Sequence, residues 1–138
     1  MSEANNLIQA YQDTHYIVYD APKYFTLRVN INSLELKALY AKHNAKTATY
    51  ISAFNPFSQI TPLELNIQAH TKLKSICINK NYTIYDGDGT DPSGIWKPEK
   101  SLLLLGISFS EACELGLYFQ QNAILFAAEI PTPRLIFL

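Results

Sequence analysis

Apolar residues recur along this chain with two spacings. Steps of three or four mark helix faces; alternation or short unbroken runs mark strands. From about Ser2 to Gln12 the spacing predicts a helix that buries Leu7, Ile8 and Tyr11. His15 to Tyr19 and Tyr24 to Asn30 read as two strands joined at Asp20-Ala21-Pro22-Lys23, a hairpin. In the second strand Phe25, Leu27 and Val29 alternate with Thr26, Arg28 and Asn30, so one of its faces is wet. Three capping boxes announce further helices, because a side-chain oxygen and a Glu three residues on can satisfy the free N–H groups of a first turn. They are Asn32-Ser33-Leu34-Glu35, Thr61-Pro62-Leu63-Glu64 and Ser108-Phe109-Ser110-Glu111. The second leads into Leu65, Ala69, Leu73 and Ile76, one face of a long helix. Strands are predicted at Thr47 to Phe54, Tyr82 to Tyr85, Leu102 to Ile107, Ile124 to Ala127 and Thr132 to Phe137. The runs at 102–107 and 124–127 are continuously apolar, as in central strands covered on both faces.

The order is α-β-β-α-β-α-β-β-α-β-β. It predicts one α/β (α+β) domain over residues 1–138, with a mixed β-sheet, strand-helix-strand crossovers and terminal hairpins. Asp86 to Pro98, which holds three of the five glycines, reads as a long loop. Strand directions follow from the connections. A helical crossover keeps direction and a direct link reverses it. Strands two, three and four therefore end at the sheet edge where strands five and six begin.

That edge gathers polar residues from distant stretches. Asn55-Pro56-Phe57-Ser58-Gln59 follows strand three, the long Gly/Asp loop leads to Trp96, Glu99 and Ser101, and Gln120-Gln121-Asn122 precedes strand six. Arg28 lies near the end of strand two, and Asn66 early in the long helix. The helices that start at Asn32 and Thr61 point their N-termini the same way, and such termini suit anions. Amide side chains both donate and accept, so Asn55, Asn66, Gln121 and Asn122 could hold a polar or anionic small molecule or a nucleotide at this rim; turn chemistry explains them equally. Glu99 is the candidate general base if there is catalysis, with Arg28 or Asp91 as its partner, and a plain surface carboxylate otherwise. Arg28 could grip a carboxylate or phosphate with its forked donors, or serve an internal ion pair.

Composition narrows the partners. The chain has 138 residues, 48% hydrophobic and 17% charged, with a net charge of −1. That excludes a disordered chain and speaks against a nucleic-acid partner with a strong basic field. Nine tyrosines could stack on single strands, but they fit strands and core as well. No apolar run approaches the roughly 20 residues of a membrane span, and no leader is visible, so the expectation is a cytoplasmic protein away from the membrane. Cys77 and Cys113 read as reduced core thiols.

Several motifs fall short of their chemistry. Asp86-Gly87-Asp88-Gly89-Thr90-Asp91 resembles a calcium loop but carries Asp91 at its sixth position and Lys97 at its twelfth. His15, His43 and His70 lie too far apart for a zinc pair, and Ser108 has a capping duty rather than a nucleophile's. No metal and no cofactor is expected. The apolar end, Leu135-Ile136-Phe137-Leu138, could pair with a second copy as an edge strand, giving a homo-dimer and the alternative function of a self-assembly module.

Three ordered stretches resemble a known family. Tyr50 to Ser58, Asp91 to Ile107 and Phe119 to Ile124 are together similar to a small bacterial family catalogued as domain of unknown function 3293. The resemblance extends over nearly the whole chain. The family pattern has Trp where Phe54 stands and Gly where Gln120 stands. The first departure alters packing; the second adds a side chain beside Gln121 and Asn122. The resemblance supports the fold's extent and the rim site, whose candidate residues on the reading above are Arg28, Asn55, Ser58, Asn66, Trp96, Glu99, Gln121 and Asn122; it brings no reaction with it.

Overall fold

The computed structural model describes residues 3–138. Helix α1 covers Glu3–Asp13; its expected start at Ser2 lies outside the described residues. Strands β1 (His15–Asp20) and β2 (Lys23–Leu27) form the expected hairpin. Then come α2 (Leu34–His43), β3 (Ala48–Ser52), a single 3-10 turn at Pro56–Ser58, and α3 (Leu63–Asn79). Strands β4 (Thr83–Thr90) and β5 (Glu99–Leu105), helix α4 (Phe109–Tyr118), and strands β6 (Ala123–Ala127) and β7 (Arg134–Phe137) complete the chain.

Two of the three capping boxes change. Ser33, not Asn32, caps α2, its hydroxyl accepting from Leu36 N–H at 3.1 Å. The box at Thr61 does not form. The Thr61 N–H is taken by Asn55 Oδ1 at 3.0 Å and its hydroxyl donates to Gln59 O, so α3 starts after Pro62 with no side-chain cap. Ser108 caps α4 as expected, accepting from Glu111 N–H at 3.2 Å. The buried face of α3 is rotated from the expected one: Asn66, Leu73 and Cys77 are inside, and Leu65 is exposed.

The sheet order is β2-β1-β4-β5-β3-β6-β7. The domain class and strand directions are those expected, but the mixed sheet is corrected to one in which every neighbouring pair is antiparallel. Each crossover that keeps direction skips over a strand of the opposite sense. The β3–α3–β4 crossover has β5 between its strands, and β5–α4–β6 has β3. The cause is the β4–β5 hairpin, whose register runs from Thr83↔Leu105 to Gly89↔Glu99. It occupies one side of both strands and leaves only the outer side of β5 for β3.

This hairpin also corrects the long loop. Residues 86–90 belong to β4, and only 91–98 is a turn. Asp-Gly-Asp-Gly is a strand with period two: Asp86 pairs with Lys74 at 2.9 Å and Asp88 accepts from Tyr19 Oη at 2.6 Å, while the glycines face the other side. Gly87 is needed there. A Cβ would collide with the Ile17 carbonyl oxygen and come within 2.6 Å of Tyr50 Oη, which crosses the glycine to donate to that same oxygen at 2.8 Å. Asp91, suggested as a partner of Glu99, closes the 91–98 turn instead by accepting from Ser93 N–H at 2.9 Å and Ile95 N–H at 2.9 Å.

Two cores flank the sheet. Leu36, Leu39 and Tyr40 of α2 meet Tyr16, Tyr50, Leu103 and Leu125 on one face. Leu73 and Cys77 of α3 and Ala112 of α4 meet Ile51, Leu102, Leu104 and Ile124 on the other. The central strands are therefore covered twice, as their unbroken apolar runs require. Among the described residues, no helix is long and apolar enough to cross a membrane. The apolar C-terminus is used within the chain: Ile136 and Leu138 pack on the second core, and Leu138 Cδ1 fills the space a Cβ on Gly116 would need.

Candidate functional site

The α2 face of the sheet is longer than α2. Toward the edge where β5 and β6 begin, α1 takes over the cover, and between α1, the sheet and the 54–60 segment lies a cavity of about 290 Å³. Its floor carries every second residue of five strands: Tyr16, Gly89, Glu99 with Ser101, Tyr50 with Ser52, and Leu125. Leu7, Ala10 and Tyr11 of α1 form one wall. Asn55, Ser58 and Gln121 form another, with Trp96 from the 91–98 turn.

Glu99 dominates the chemistry. It opens β5 opposite Gly89, which has no side chain to shield it. Burial pushes its pKa up from the usual carboxylate range to about 7, against a weak lowering by the Asn55 amide. That amide donates to Oε2 at 3.4 Å, and no lysine, arginine or histidine forms an ion pair with Glu99 among the described residues. Three phenols surround it. Tyr16 and Tyr50 donate to the carbonyls of Tyr11 and Ile17, each at 2.8 Å, and burial holds both pKa values above the ordinary phenol range. Tyr11 is also raised by burial, with a hydrogen bond to Ser58 acting the other way.

The Asn55 side is held by backbone in the left-handed region. Asn55, Phe57 and Ser58 have φ of 48°, 54° and 59°. Asn tolerates this conformation; Phe and Ser do so at a cost, met here by Phe57 N–H donating to Gln120 O at 2.7 Å. Asn55 Oδ1 accepts from Thr61 N–H and from Asn66 Nδ2, both at 3.0 Å, and Asn66 Oδ1 accepts from Asn55 N–H at 2.9 Å. Gln120 is itself left-handed at φ 56°, a conformation that glycine adopts without strain.

The structure therefore brings Asn55, Ser58, Trp96, Glu99 and Gln121 to one cavity and leaves three other candidates off its lining. Asn66 is buried behind Asn55 and holds it. Asn122 braces Ser58 from outside, Nδ2 to Oγ at 2.8 Å. Arg28 donates to His15 Nε2 and Gln12 O, both at 3.2 Å, rather than to Glu99, and its Nε is buried without a partner. Gln121 is half-committed, its amide nitrogen donating to Phe54 O at 3.1 Å and Phe119 O at 3.2 Å. The helix N-termini expected at this edge do not reach the cavity: no residue of α2, α3 or their caps lines it. Ser101, expected at this edge beside Glu99, lines it too; Tyr11, Thr14, Tyr16, Tyr50 and Ser52 line it and were not anticipated. The period-two alternation of Ser101 with Leu103, and of Ser52 with Tyr50, carries the signal: small polar residues stand on a face that is otherwise apolar.

Fold and site together define a class: an α+β domain whose antiparallel sheet closes, at one edge, over a half-buried carboxylate, Glu99, that has no counter-ion among the described residues. Within that class, the chain belongs to the family described as Protein of unknown function (DUF3293), which matches residues 51–124, more than half of the chain. The match takes in Asn55, Ser58, Trp96, Glu99 and Gln121, whereas α1 and β1, which supply Tyr11 and Tyr16, lie outside it. Neither a curated protein nor a solved structure matches the chain.

Proposed function

We propose that this domain binds a polar small molecule in the Glu99 cavity, through Glu99, Asn55, Ser58 and Gln121, in a cytoplasmic setting. The observation that carries the reading is Glu99 itself. A half-buried carboxyl with one 3.4 Å hydrogen bond and no paired cation among the described residues is costly unless something else uses it. Strained backbone at Asn55, Phe57 and Ser58 on the adjacent wall supports the same reading, since such strain collects at functional sites. The absence of lysine and arginine from the lining favours a neutral or cationic ligand over the anion or nucleotide suggested by the sequence. Cys77 and Cys113, both free thiols, suit a reducing compartment.

The test uses Gly89. A Cβ there meets nothing closer than 3.9 Å, so Gly89→Val fits the strand and extends its methyls into the cavity. Melting curves are taken against a panel of neutral, cationic and anionic metabolites. At least one neutral or cationic compound raises the wild-type melting temperature and fails to raise that of Gly89→Val. A panel without effect, or a gain that survives in Gly89→Val, contradicts the reading.

A further inference from the structure

Among the described residues, the cavity is lined by one acid, several aromatic rings and no base. Glu99 comes from β5, Tyr11 from α1, Tyr16 from β1, Tyr50 from β3 and Trp96 from the 91–98 turn. The hydroxyl protons of Tyr16 and Tyr50 are already given to backbone carbonyls. What these two residues offer the interior is ring surface, and their rings meet edge to face with centroids 5.3 Å apart. Aromatic rings attract cations through their quadrupole, more strongly where water is excluded. Glu99 adds a full charge at the same place. Its Oε1 accepts no hydrogen bond from the described residues, so most of its acceptor capacity is open.

Resting on the binding reading above, we propose that the ligand is an organic ammonium ion, a small protonated amine with an apolar body. Its N–H groups donate to Glu99, and its charge lies among the rings of Tyr11, Tyr16, Tyr50 and Trp96. The volume of about 290 Å³ limits the enclosed part to roughly ten non-hydrogen atoms. Leu7, Leu125 and Leu135 provide apolar surface inside, and Ile60, 98% exposed, stands at the mouth. An anion would meet Glu99 with nothing to balance it. A neutral alcohol would use the same acceptor without the attraction of charge.

The binding is linked to protons. Among the described residues, the titratable groups that line the cavity with Glu99 are the phenols of Tyr11, Tyr16 and Tyr50, all raised by burial and neutral between pH 5 and 9. Asp91 and Lys97, on the neighbouring turn, do not line the cavity, and neither does Arg28. Glu99 is therefore the group that ionises, and an ammonium ion binds its charged form. Affinity falls as pH drops below about 7, approaching tenfold per unit.

Calorimetry on the full chain with benzylamine, benzyl alcohol and benzoate tests this. At pH 8, benzylamine binds at least tenfold more tightly than the other two. Glu99→Gln, which keeps the shape of the side chain, weakens benzylamine by about 10- to 100-fold and removes the difference between pH 8 and pH 5.5. Its melting curve shows that the variant is folded. Benzyl alcohol or benzoate binding as well as benzylamine, and losing that binding in Gly89→Val, overturns the cation assignment and leaves the cavity reading standing. Benzylamine affinity unchanged in Glu99→Gln, or no benzylamine binding at all, also overturns the assignment; the broader panel with Gly89→Val then decides the cavity reading separately.

Discussion

Glu99 is protonated more readily in the folded chain than in the unfolded one. Its folded pKa, about 7, stands above the ordinary value of 4.5. Between those two pH values the folded state binds more protons than the unfolded state, so this residue makes stability fall as pH rises from 4.5 to 7, and adds no further change above. The accumulated cost is about 3 kcal/mol. Glu99→Gln removes the ionisable group, so its melting temperature exceeds that of the wild type by several degrees at pH 8 and matches it at pH 4. Melting curves at the two pH values check this, and a variant less stable than wild type at pH 8 would show that the carboxylate is stabilised by something overlooked. Asn55 makes a second case. Asn55→Ala loses the acceptor for Thr61 N–H and the tie to Asn66, and puts a Cβ without a polar partner at φ 48°. A loss of about 2–3 kcal/mol follows, of which Asn55→Gly recovers about 1 kcal/mol, because glycine relieves the backbone and not the hydrogen bonds. Chemical denaturation of the two variants measures both parts. The amide-rich residues were legible in the sequence as a group. Which of them line the cavity and which brace it was not, since Asn66 and Asn122 act one layer behind Asn55 and Ser58.

Among the elements, β4 teaches the most. Asp86 to Thr90 looks like a loop because its composition is that of a turn, yet glycine is present for what passes over it. Gly87 and Gly89 are two apart on one face, but a Cβ at Gly87 would lie 2.6 Å from Tyr50 Oη and one at Gly89 has 3.9 Å of room. Gly87→Ala therefore costs about 2–3 kcal/mol through overpacking, while Gly89→Ala is neutral or stabilises by up to about 0.5 kcal/mol. Thermal melts of the pair check the contrast, and equal effects would mean that the Ile17 carbonyl and Tyr50 do not close over Gly87. Element order and direction were readable from periodicity and connection length, because both are local properties of the chain. Pairing was not. That β5 separates β3 from β4 follows from the length of the β4–β5 hairpin, which was hidden by the glycines in it.

On the scale of the whole molecule, the cavity exists because four remote stretches meet. Residues 7–16, 50–60, 89–101 and 121–135 all contribute to its lining. Strand direction, which the sequence discloses, is enough to send Asn55, Glu99 and Gln121 to one edge. The docking of α1 is not encoded in any local pattern: Leu7, Ile8 and Tyr11 announce a half-buried helix but not what it covers. With α1 in place, Tyr11 and Leu7 roof the edge and take Glu99 out of water; without that roof, Glu99 would be an ordinary carboxylate at a strand end. The carboxyl group thus reports on the assembly of the entire domain. NMR titration of the Glu99 side-chain carboxyl carbon, assigned by comparison with Glu99→Gln, is the most direct measurement. A midpoint near 7 is the expected result. A midpoint at or below 4.5 would mean that Glu99 is solvated or paired, and would contradict the site described here.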